Sequence, residues 1–458
     1  MKKLLFLFSL SLCFTLSCNS NADEFQNLKE SVITENKFGP YGDKAFCSLI
    51  NDFISDNPAV NNISGGNKYY ISADAENEGN GTSSSPFKTF EQALKKLSAG
   101  DTLYIKSGTY YEQIEITSAL KGNANAYITI ASDTENAPDN PVIISGSGRE
   151  NDFRLMTISG ASYIRISGLT FADSDGQDAA GISIEASSNH IIIDNCIFKN
   201  ITVPEPEVED HVANGILAYG NGKNAEQSIN NLLIYNNSFT NLATGWGECI
   251  SAVANCEFVN IINNFLDTTG NIGIDVGGNY GYCPKKDLDF TRYAYIFGNT
   301  VKNCESAYGH TAYGIYSDGG QHIHIEGNTV ENCSGGIEVG AEQVQKSKAY
   351  ATFDVLIKNN KVSGSVECAL SIGGYEEKLG LVRAVKVTEN TFTDNADKDD
   401  GAIVSLSKCD KVIITGNTFI QSNNNYKGEV LYKEDFKRYP KNITITDNNY
   451  EGLESADE

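Results

Sequence analysis

Residues 296–301 read IFGNTV, residues 325–330 read IEGNTV and residues 414–419 read ITGNTF. In each copy a short run of strand-forming residues precedes an asparagine, any residue and a large apolar residue. Repeats at such spacings are typical of solenoids, in which each coil pairs with the next one. Nine asparagines carry this pattern, spaced 27 to 42 residues apart, and they are Asn195, Asn237, Asn264, Asn299, Asn328, Asn360, Asn390, Asn417 and Asn448.

A structural role explains why asparagine recurs at this corner. Asparagine tolerates left-handed backbone angles, and its side chain can bond to the asparagine of the neighbouring coil. A second series opens the following strand, and its apolar member must point into the core because side chains alternate along a strand. The sequence therefore predicts an all-β fold, a single right-handed parallel β-helix. The second series comprises Gly181-Ile182, Gly215-Ile216, Cys249-Ile250, Gly273-Ile274, Gly314-Ile315, Gly336-Ile337, Ala369-Leu370 and Ala402-Ile403.

Residues 1–18 have the features of a bacterial signal peptide, since two lysines precede an apolar run that ends at Leu16-Ser17-Cys18. The run is too short to span a membrane. Its last three residues resemble a lipoprotein cleavage box, so we expect lipidation at Cys18, a cell-envelope location and membrane contact only through the lipid. Thr15 stands where a branched aliphatic residue is usual, which leaves a plain secretory signal and release from the cell as the alternative.

The net charge of the chain is −24, from 35 Lys plus Arg and 59 Asp plus Glu. No basic stripe interrupts this acidity, which argues against a nucleic-acid partner. The cysteines show no CxxC pattern and the five histidines are too dispersed for a zinc site, so no metal is expected from them. Cys304 and Cys333 each follow a repeat asparagine by five residues, and we expect them to stack as a core pair or a disulfide.

Residues 66–115 are expected to cap the β-helix, which we assign to residues 66–458. A short helix predicted at residues 91–97, between a proline and a glycine, can cover the open end of the solenoid. Residues 19–65 are assigned to a polar, partly ordered tether.

The cap resembles the entry segment of secreted parallel β-helix carbohydrate enzymes, including the family 9 polysaccharide lyases and several β-helical glycoside hydrolases. The resemblance implies the fold, export and an enzyme whose partner is a polysaccharide or oligosaccharide. It rests on Tyr69-Tyr70-Ile71-Ser72, Gly79-Asn80-Gly81-Thr82, the stretch from Ser85 to Phe90 and the stretch from Ala99 to Ile105.

Three acids stand out on the strand that follows each apolar corner. If the corner residues point inward, Asp275, Tyr316 and Glu338 face solvent in one row, flanked by two serines. Asp318 falls in a second row, among glycines that remove side-chain bulk and give a ligand room. Crowded carboxylates raise one another's pKa, so one can stay protonated as a general acid.

We therefore predict a glycoside hydrolase with Asp275, Asp318 and Glu338 as the catalytic residues. Neighbouring polar and aromatic residues are expected to bind the substrate, and aromatic rings offer a sugar a stacking face. These substrate-binding candidates are Trp246, Glu248, Tyr280, Arg292, His310, Tyr316, Glu342 and Tyr375.

A polysaccharide lyase is the first alternative, because residues 247–264 are similar in layout to the family 6 lyases. That resemblance implies a lysine and an arginine on the strand face, whereas residues 252–255 read AVAN and two glycines occupy positions 277 and 278. Lys285, Lys286 and Arg292 could supply a base from a loop.

A non-catalytic glycan-binding solenoid is the second alternative, since fold does not imply function. No cofactor is expected, and calcium at the acidic turn of residues 397–400 is a minor option.

Overall fold

The computed structural model describes residues 39–133, 141–148, 154–342, 351–374, 380–396, 401–423, 426, 428–436 and 438–458. Residues 1–18, with Cys18, and the acidic turn at 397–400 lie outside the described residues. The described chain forms a right-handed parallel solenoid of about 12 turns, so the predicted fold class is confirmed.

Three parallel sheets run the length of the solenoid. Sheet 1 contains β1 (Lys68–Ile71), β2 (Thr102–Ile105), β5 (Ile128–Ser132), β8 (Ser162–Ser167), β11 (Asn189–Asp194), β14 (Ile229–Tyr235), β17 (Cys256–Ile262), β20 (Arg292–Phe297), β23 (Gln321–Glu326), β26 (Thr352–Lys358), β29 (Val382–Thr388), β32 (Cys409–Thr415) and β35 (Lys441–Thr446). Sheet 2 contains β3 (Gly108–Tyr110), β6 (Val142–Ser145), β9 (Thr170–Asp175), β12 (Ile197–Thr202), β15 (Ser238–Leu242), β18 (Phe265–Thr269), β21 (Thr300–Cys304), β24 (Thr329–Glu331), β27 (Lys361–Ser363), β30 (Thr391–Thr393), β33 (Thr418–Ile420) and β36 (Asn449–Glu451). Sheet 3 contains β4 (Ile114–Thr117), β7 (Arg154–Ser159), β10 (Asp178–Glu185), β13 (Val212–Gly220), β16 (Ile250–Ala254), β19 (Ile274–Gly277), β22 (Tyr313–Asp318), β25 (Gly335–Gly340), β28 (Cys368–Ile372), β31 (Ala402–Leu406) and β34 (Glu429–Lys433).

The described helices are few and short. They are α1 (Lys44–Ile54), α2 (Phe90–Leu94) and the 3-10 helices Pro58–Asn62, Ala225–Gln227 and Lys286–Leu288. None of the described helices is both long and apolar enough to cross a bilayer.

The asparagine ladder lies at the tight turn between sheets 1 and 2. The Asn299 side-chain oxygen accepts from the backbone N–H and the Nδ2 of Asn264, at 2.9 and 3.0 Å. Asn299 in turn donates from the same two groups to the Asn328 side-chain oxygen, each at 2.9 Å. The pattern continues from Asn237 to Asn448, and the asparagines within the stack are almost fully buried. Each buried amide is therefore hydrogen-bonded by the coil on either side.

The structure corrects two details of this prediction. Asn195 is not a ladder residue, because Ile197 pairs with Ser238 and this places Cys196 opposite Asn237. The left-handed backbone belongs to the residue before the ladder asparagine, with φ of 53° at Asn236. One position thus bends the chain while the next turns inward to make the hydrogen bonds.

The apolar corner series is confirmed from Ile182 to Leu370, whose members pair coil by coil. Its last member is corrected by one residue, since Leu370 pairs with Val404 rather than Ile403. Small residues precede the corner because the core fills that space. A Cβ on Gly215 would lie 2.7 Å from the ring of Phe239.

Stacked aromatic rings fill one corner of the core. The rings of Phe171, Phe198 and Phe239 stack with centroid distances of 5.1 and 4.6 Å. Cys304 and Cys333 are buried free cysteines whose thiols contact each other, so they form a core pair rather than a disulfide.

At the N-terminal end, α2 covers the first coils as expected. Thr89 caps the helix by accepting from Gln92, and Phe90 and Ala93 are buried in the main core. The helix ends at Leu94, before the predicted boundary at residue 97.

Residues 39–65 differ from the tether that we expected. Helix α1 packs Phe46, Ile50 and Phe53 against buried residues of the outer face of sheet 1, including Leu233. Asn260 fastens the segment by bonding to both the N–H and the carbonyl of Tyr41. An apolar face spaced for a helix gains burial here, which explains why this part of the chain is packed on the solenoid.

Asn299→Ala tests the ladder. The substitution leaves the Asn264 amide groups and the Ile261 carbonyl without their partner in a buried site. We expect the free energy of unfolding, measured by urea denaturation, to fall by roughly 3 kcal/mol.

Asn449→Ala is the control, because that side chain is exposed and donates to Glu451 at the surface. Equal losses in the two variants would contradict a stabilising role for the ladder.

Candidate active site

The predicted acidic row is present on sheet 3. Asp275 on β19 pairs with Tyr316 on β22, which pairs with Glu338 on β25. Ser251 and Ser371 extend the row on the two sides. This register is confirmed, and it follows from the alternation of side chains after the inward-facing corner residues.

The expectation that this row faces solvent is wrong. Asp275 is 4% exposed, Tyr316 2% and Glu338 8%. Loop residues lie at both ends of the strands of sheet 3: Trp246 precedes β16, while Tyr280 follows β19 and donates from its hydroxyl to Asp318. Variable loops of this kind leave no periodic signal in the sequence, so their positions could not be read from the repeat.

Asp318 lies in the adjacent row and accepts two hydrogen bonds. It pairs in register with Gly340, and it is 1% exposed. Its Oδ2 accepts from the Tyr280 hydroxyl, and its Oδ1 accepts from the Glu342 N–H at 2.8 Å. Two donors therefore stabilise the ionised form of this carboxyl.

Glycines beside the acids have a different use from the one predicted. We expected them to give a ligand room, but the acids themselves use the space. A Cβ on Gly277 would lie 2.8 Å from Asp275 Oδ2, and one on Gly340 would lie 2.9 Å from the Tyr316 hydroxyl and 3.2 Å from Glu338 Oε1. The glycines thus allow the buried polar side chains to lie flat along the sheet.

Two glutamates complete the cluster. Burial raises the pKa of Glu248 to about 7, and the charge of Glu342 adds to the rise. Glu342 is an exposed residue at the rim, yet desolvation of its carboxyl raises its pKa, and only His310 opposes this.

Burial also raises the pKa of the three predicted catalytic acids. For Asp275 the charges of Glu248, Asp318 and Glu342 add to the desolvation. For Asp318 the charge of Glu342 acts in the same direction, whereas the Glu342 N–H opposes it. For Glu338 desolvation and Glu342 are the causes. Five carboxyls that share one dehydrated site cannot all be ionised near neutral pH.

One carboxyl oxygen in the cluster lacks a partner. Asp275 Oδ1 is buried and accepts no hydrogen bond within the described part of the chain. A buried acceptor without a donor is costly and rare in native proteins, and a ligand bound at the site can supply the donor.

An aromatic wall lies beside the acids. Trp246 and Tyr308 stack with a centroid distance of 4.1 Å and an interplanar angle of 7°. The His310 ring is 5.9 Å from that of Trp246, and it is exposed. Trp246 and His310 were predicted, but Tyr308 was not, although it stands two residues before His310 in the same loop.

Arg292 is removed from the substrate-binding candidates. It begins β20 on sheet 1, is 1% exposed and bonds to Glu257 and Asn255. The prediction took it for a loop residue, whereas its strand buries it behind the site. Tyr375 lies outside the described residues.

Charge compensation is sparse around the cluster. Among the described residues no ion pair involves Glu248, Asp275, Asp318, Glu338 or Glu342. The described chain also contains no group of three or more Asp, Glu, His or Cys arranged to hold a metal ion.

Known proteins share this architecture. The chain is 32% identical over 364 residues to the Bacillus subtilis (strain 168) protein named uncharacterized protein YwoF, covering 77% of this chain and 74% of that protein. The chain belongs to the YwoF family. Its residues 69–254 also match the family described as Pel9A-like, right-handed beta helix region. That match ends before Asp275, so it covers the coils that precede most of the acidic cluster.

Solved structures with a similar fold include several carbohydrate enzymes. The GH136 lacto-N-biosidase from Eubacterium ramulus aligns with a TM-score of 0.53 and 13% identity, over 88% of the present chain and 70% of the enzyme. The GH87 alpha-1,3-glucanase from Streptomyces thermodiastaticus strain HF3-3 aligns with a TM-score of 0.50 and 13% identity, over 86% and 70% of the two chains. At this identity the likeness shows the β-helical fold alone.

Asp275→Asn tests the electrostatic cost of the cluster. The Asp275 carboxyl has a higher pKa in the folded protein than in the unfolded chain. Below the pKa of the unfolded chain it is protonated in both the folded and the unfolded state, and as the pH rises it ionises first in the unfolded chain. The free energy of unfolding of the wild type therefore falls as the pH rises. The asparagine of the variant does not ionise, so the variant does not show this fall. We expect the variant to unfold with a free energy more than about 1 kcal/mol above wild type at pH 8, and with little difference near pH 4.

Asp287→Asn, at an exposed position in the loop after β19, is the control for the loss of one negative charge. Urea denaturation across pH 4 to 8 measures the effect. A wild type that stays as stable as Asp275→Asn at every pH would contradict the proposed strain.

Proposed function

We propose that this protein is a glycoside hydrolase that acts on a polysaccharide or oligosaccharide over sheet 3. The observation that carries the proposal is the cluster of five carboxyls with raised pKa values, of which Asp275, Asp318 and Glu338 are buried, and which have no lysine or arginine partner in the described chain. Glycoside hydrolysis needs one protonated and one ionised carboxyl on either side of a bond, and such a cluster supplies both.

Asp318 is the proposed base or nucleophile. Its two hydrogen-bond donors, the Tyr280 hydroxyl and the Glu342 N–H, favour its ionised form. Asp275 and Glu338 flank it on the adjacent coils, and one of them is the proposed general acid. That acid protonates the glycosidic oxygen as the carbon–oxygen bond breaks.

Strand spacing favours an inverting reaction. Neighbouring strands lie about 4.8 Å apart and alternate residues along a strand about 6.6 Å, which places the Cα of Asp318 roughly 8 Å from those of Asp275 and Glu338. Carboxyl groups that keep this Cα separation fall within the range of roughly 6.5 to 9.5 Å that leaves room for a water molecule between base and sugar. Asp318 then removes a proton from the water that attacks the anomeric carbon.

The aromatic wall is the proposed sugar platform. Trp246 and Tyr308 present parallel rings beside the acids, and sugar faces pack well on such rings. Glu248, Tyr316, Glu342 and His310 are the proposed polar contacts of the substrate.

Isosteric replacement of the acids tests the reaction. We first screen the purified protein on a glycan panel for new reducing ends and for the ultraviolet absorbance of an unsaturated product. Asp318→Asn, Asp275→Asn and Glu338→Gln are then assayed on the glycan that is cleaved. We expect Asp318→Asn and at least one of the other two variants to lower kcat more than about 100-fold. Asp287→Asn is the control that should keep full activity.

Full activity in all three variants would show that the site lies elsewhere. Unsaturated products would favour β-elimination, the lyase alternative. Binding to a glycan without any cleavage, unchanged in the three variants, would favour a non-catalytic solenoid.

We also propose that the chain is exported and lipidated at Cys18, and that residues 66–458 form its β-helical unit. In bacterial cells, an alkyne-labelled fatty acid should be incorporated into the wild type and into Cys47→Ala, but not into Cys18→Ala. Label retained in Cys18→Ala would contradict lipidation at this residue, and label absent from the wild type would favour the plain secretory signal.

A further inference from the structure

The ionisable groups of the candidate site are almost all acidic. The carboxyls of Glu248, Asp275, Asp318, Glu338 and Glu342 share it, and the exposed His310 is the one residue able to carry a positive charge that acts on this cluster among the described side chains. The chain as a whole has a net charge of −24. An acidic ligand would therefore meet repulsion both on approach and in the site.

The hydrogen-bonding groups of the site have the same preference. A carboxyl offers acceptor oxygens whether it is ionised or protonated, and among the described residues Asp275 Oδ1 is buried without a donor. A sugar hydroxyl or ammonium group can donate to it. In a uronic acid the C6 hydroxyl is replaced by a carboxylate, which removes a donor and adds an acceptor in the same place.

We propose that the sugar bound over Asp275 and Glu338 is a neutral or amino sugar, and that uronate polymers are excluded by the carboxyl cluster. This inference rests on the proposed function only in taking the cluster as a saccharide site. Burial of the row strengthens the exclusion, because a uronate carboxylate would have to lose its hydration beside acids whose own ionisation is already disfavoured.

The test compares glycans that differ in charge but not in linkage. Polygalacturonate and alginate are each paired with their carboxyl-reduced, neutral forms, and neutral gluco-, galacto-, manno- and xylo-oligosaccharides and chitosan oligosaccharides complete the set. Binding is measured on a glycan array and then by calorimetry with the full chain. We expect the best neutral or amino glycan to bind at least about tenfold more tightly than any uronate.

A matched variant isolates the cause. In Asp275→Asn/Glu338→Gln, two carboxyls become neutral amides of the same shape. We expect the ratio of neutral to uronate affinity to fall at least about threefold in this variant, while Asp287→Asn keeps the wild-type ratio. Thermal unfolding confirms that each variant is folded before binding is compared.

The outcomes separate this inference from the proposed function. Uronate binding as tight as neutral binding overturns the inference, as does the absence of binding to every probe. Neutral glycans that bind without releasing reducing ends support the inference and contradict the hydrolase. Uronates that are bound and hydrolysed support the hydrolase and contradict the inference.

Discussion

The coils from Asn237 to Asn448 depend on the hydrogen bonds of the asparagine ladder. A tight turn between two sheets would otherwise bury backbone N–H groups without partners, and the amide oxygen of the next asparagine accepts from them at each level. The ladder fixes the register of sheets 1 and 2, and sheet 3 follows because each coil is continuous. Asp275, Tyr316 and Glu338 are far apart in sequence, yet they lie side by side because this register is kept from coil to coil.

This dependence explains which features the sequence could predict. The row of acids follows from two local facts, the inward corner residue and the period-two alternation, so Asp275 and Glu338 were placed correctly. The wrong prediction that Asn195 belongs to the ladder arose because the pattern is ambiguous at this point. At Asn236-Asn237, Asn263-Asn264 and Asn359-Asn360 both positions of the turn are asparagine, and sequence alone does not say which one bends the backbone and which one turns inward.

The sequence repeat could not predict features that depend on loops or on contacts that do not recur from coil to coil. Arg292 follows a long insertion and looked like a loop residue, but it is the first residue of β20 and is buried against Glu257. The contact of Tyr280 with Asp318 and the stacking of Tyr308 on Trp246 join residues from different coils. Such contacts depend on loop conformation, for which neither spacing nor alternation gives a rule.

The acids of sheet 3 and the asparagines of the turn show opposite relations between burial and polarity. Ladder amides are neutral and have both neighbours as partners, so their burial stabilises the solenoid. The carboxyls crowd one another, and Asp275 keeps an unpartnered oxygen, so their burial costs stability as the pH rises. A fold that tolerates this cost needs a scaffold whose coils do not depend on the site. Here the ladder lies at the turn between sheets 1 and 2, away from the acids, which leaves sheet 3 free to hold an arrangement that ligand binding, rather than folding, makes favourable.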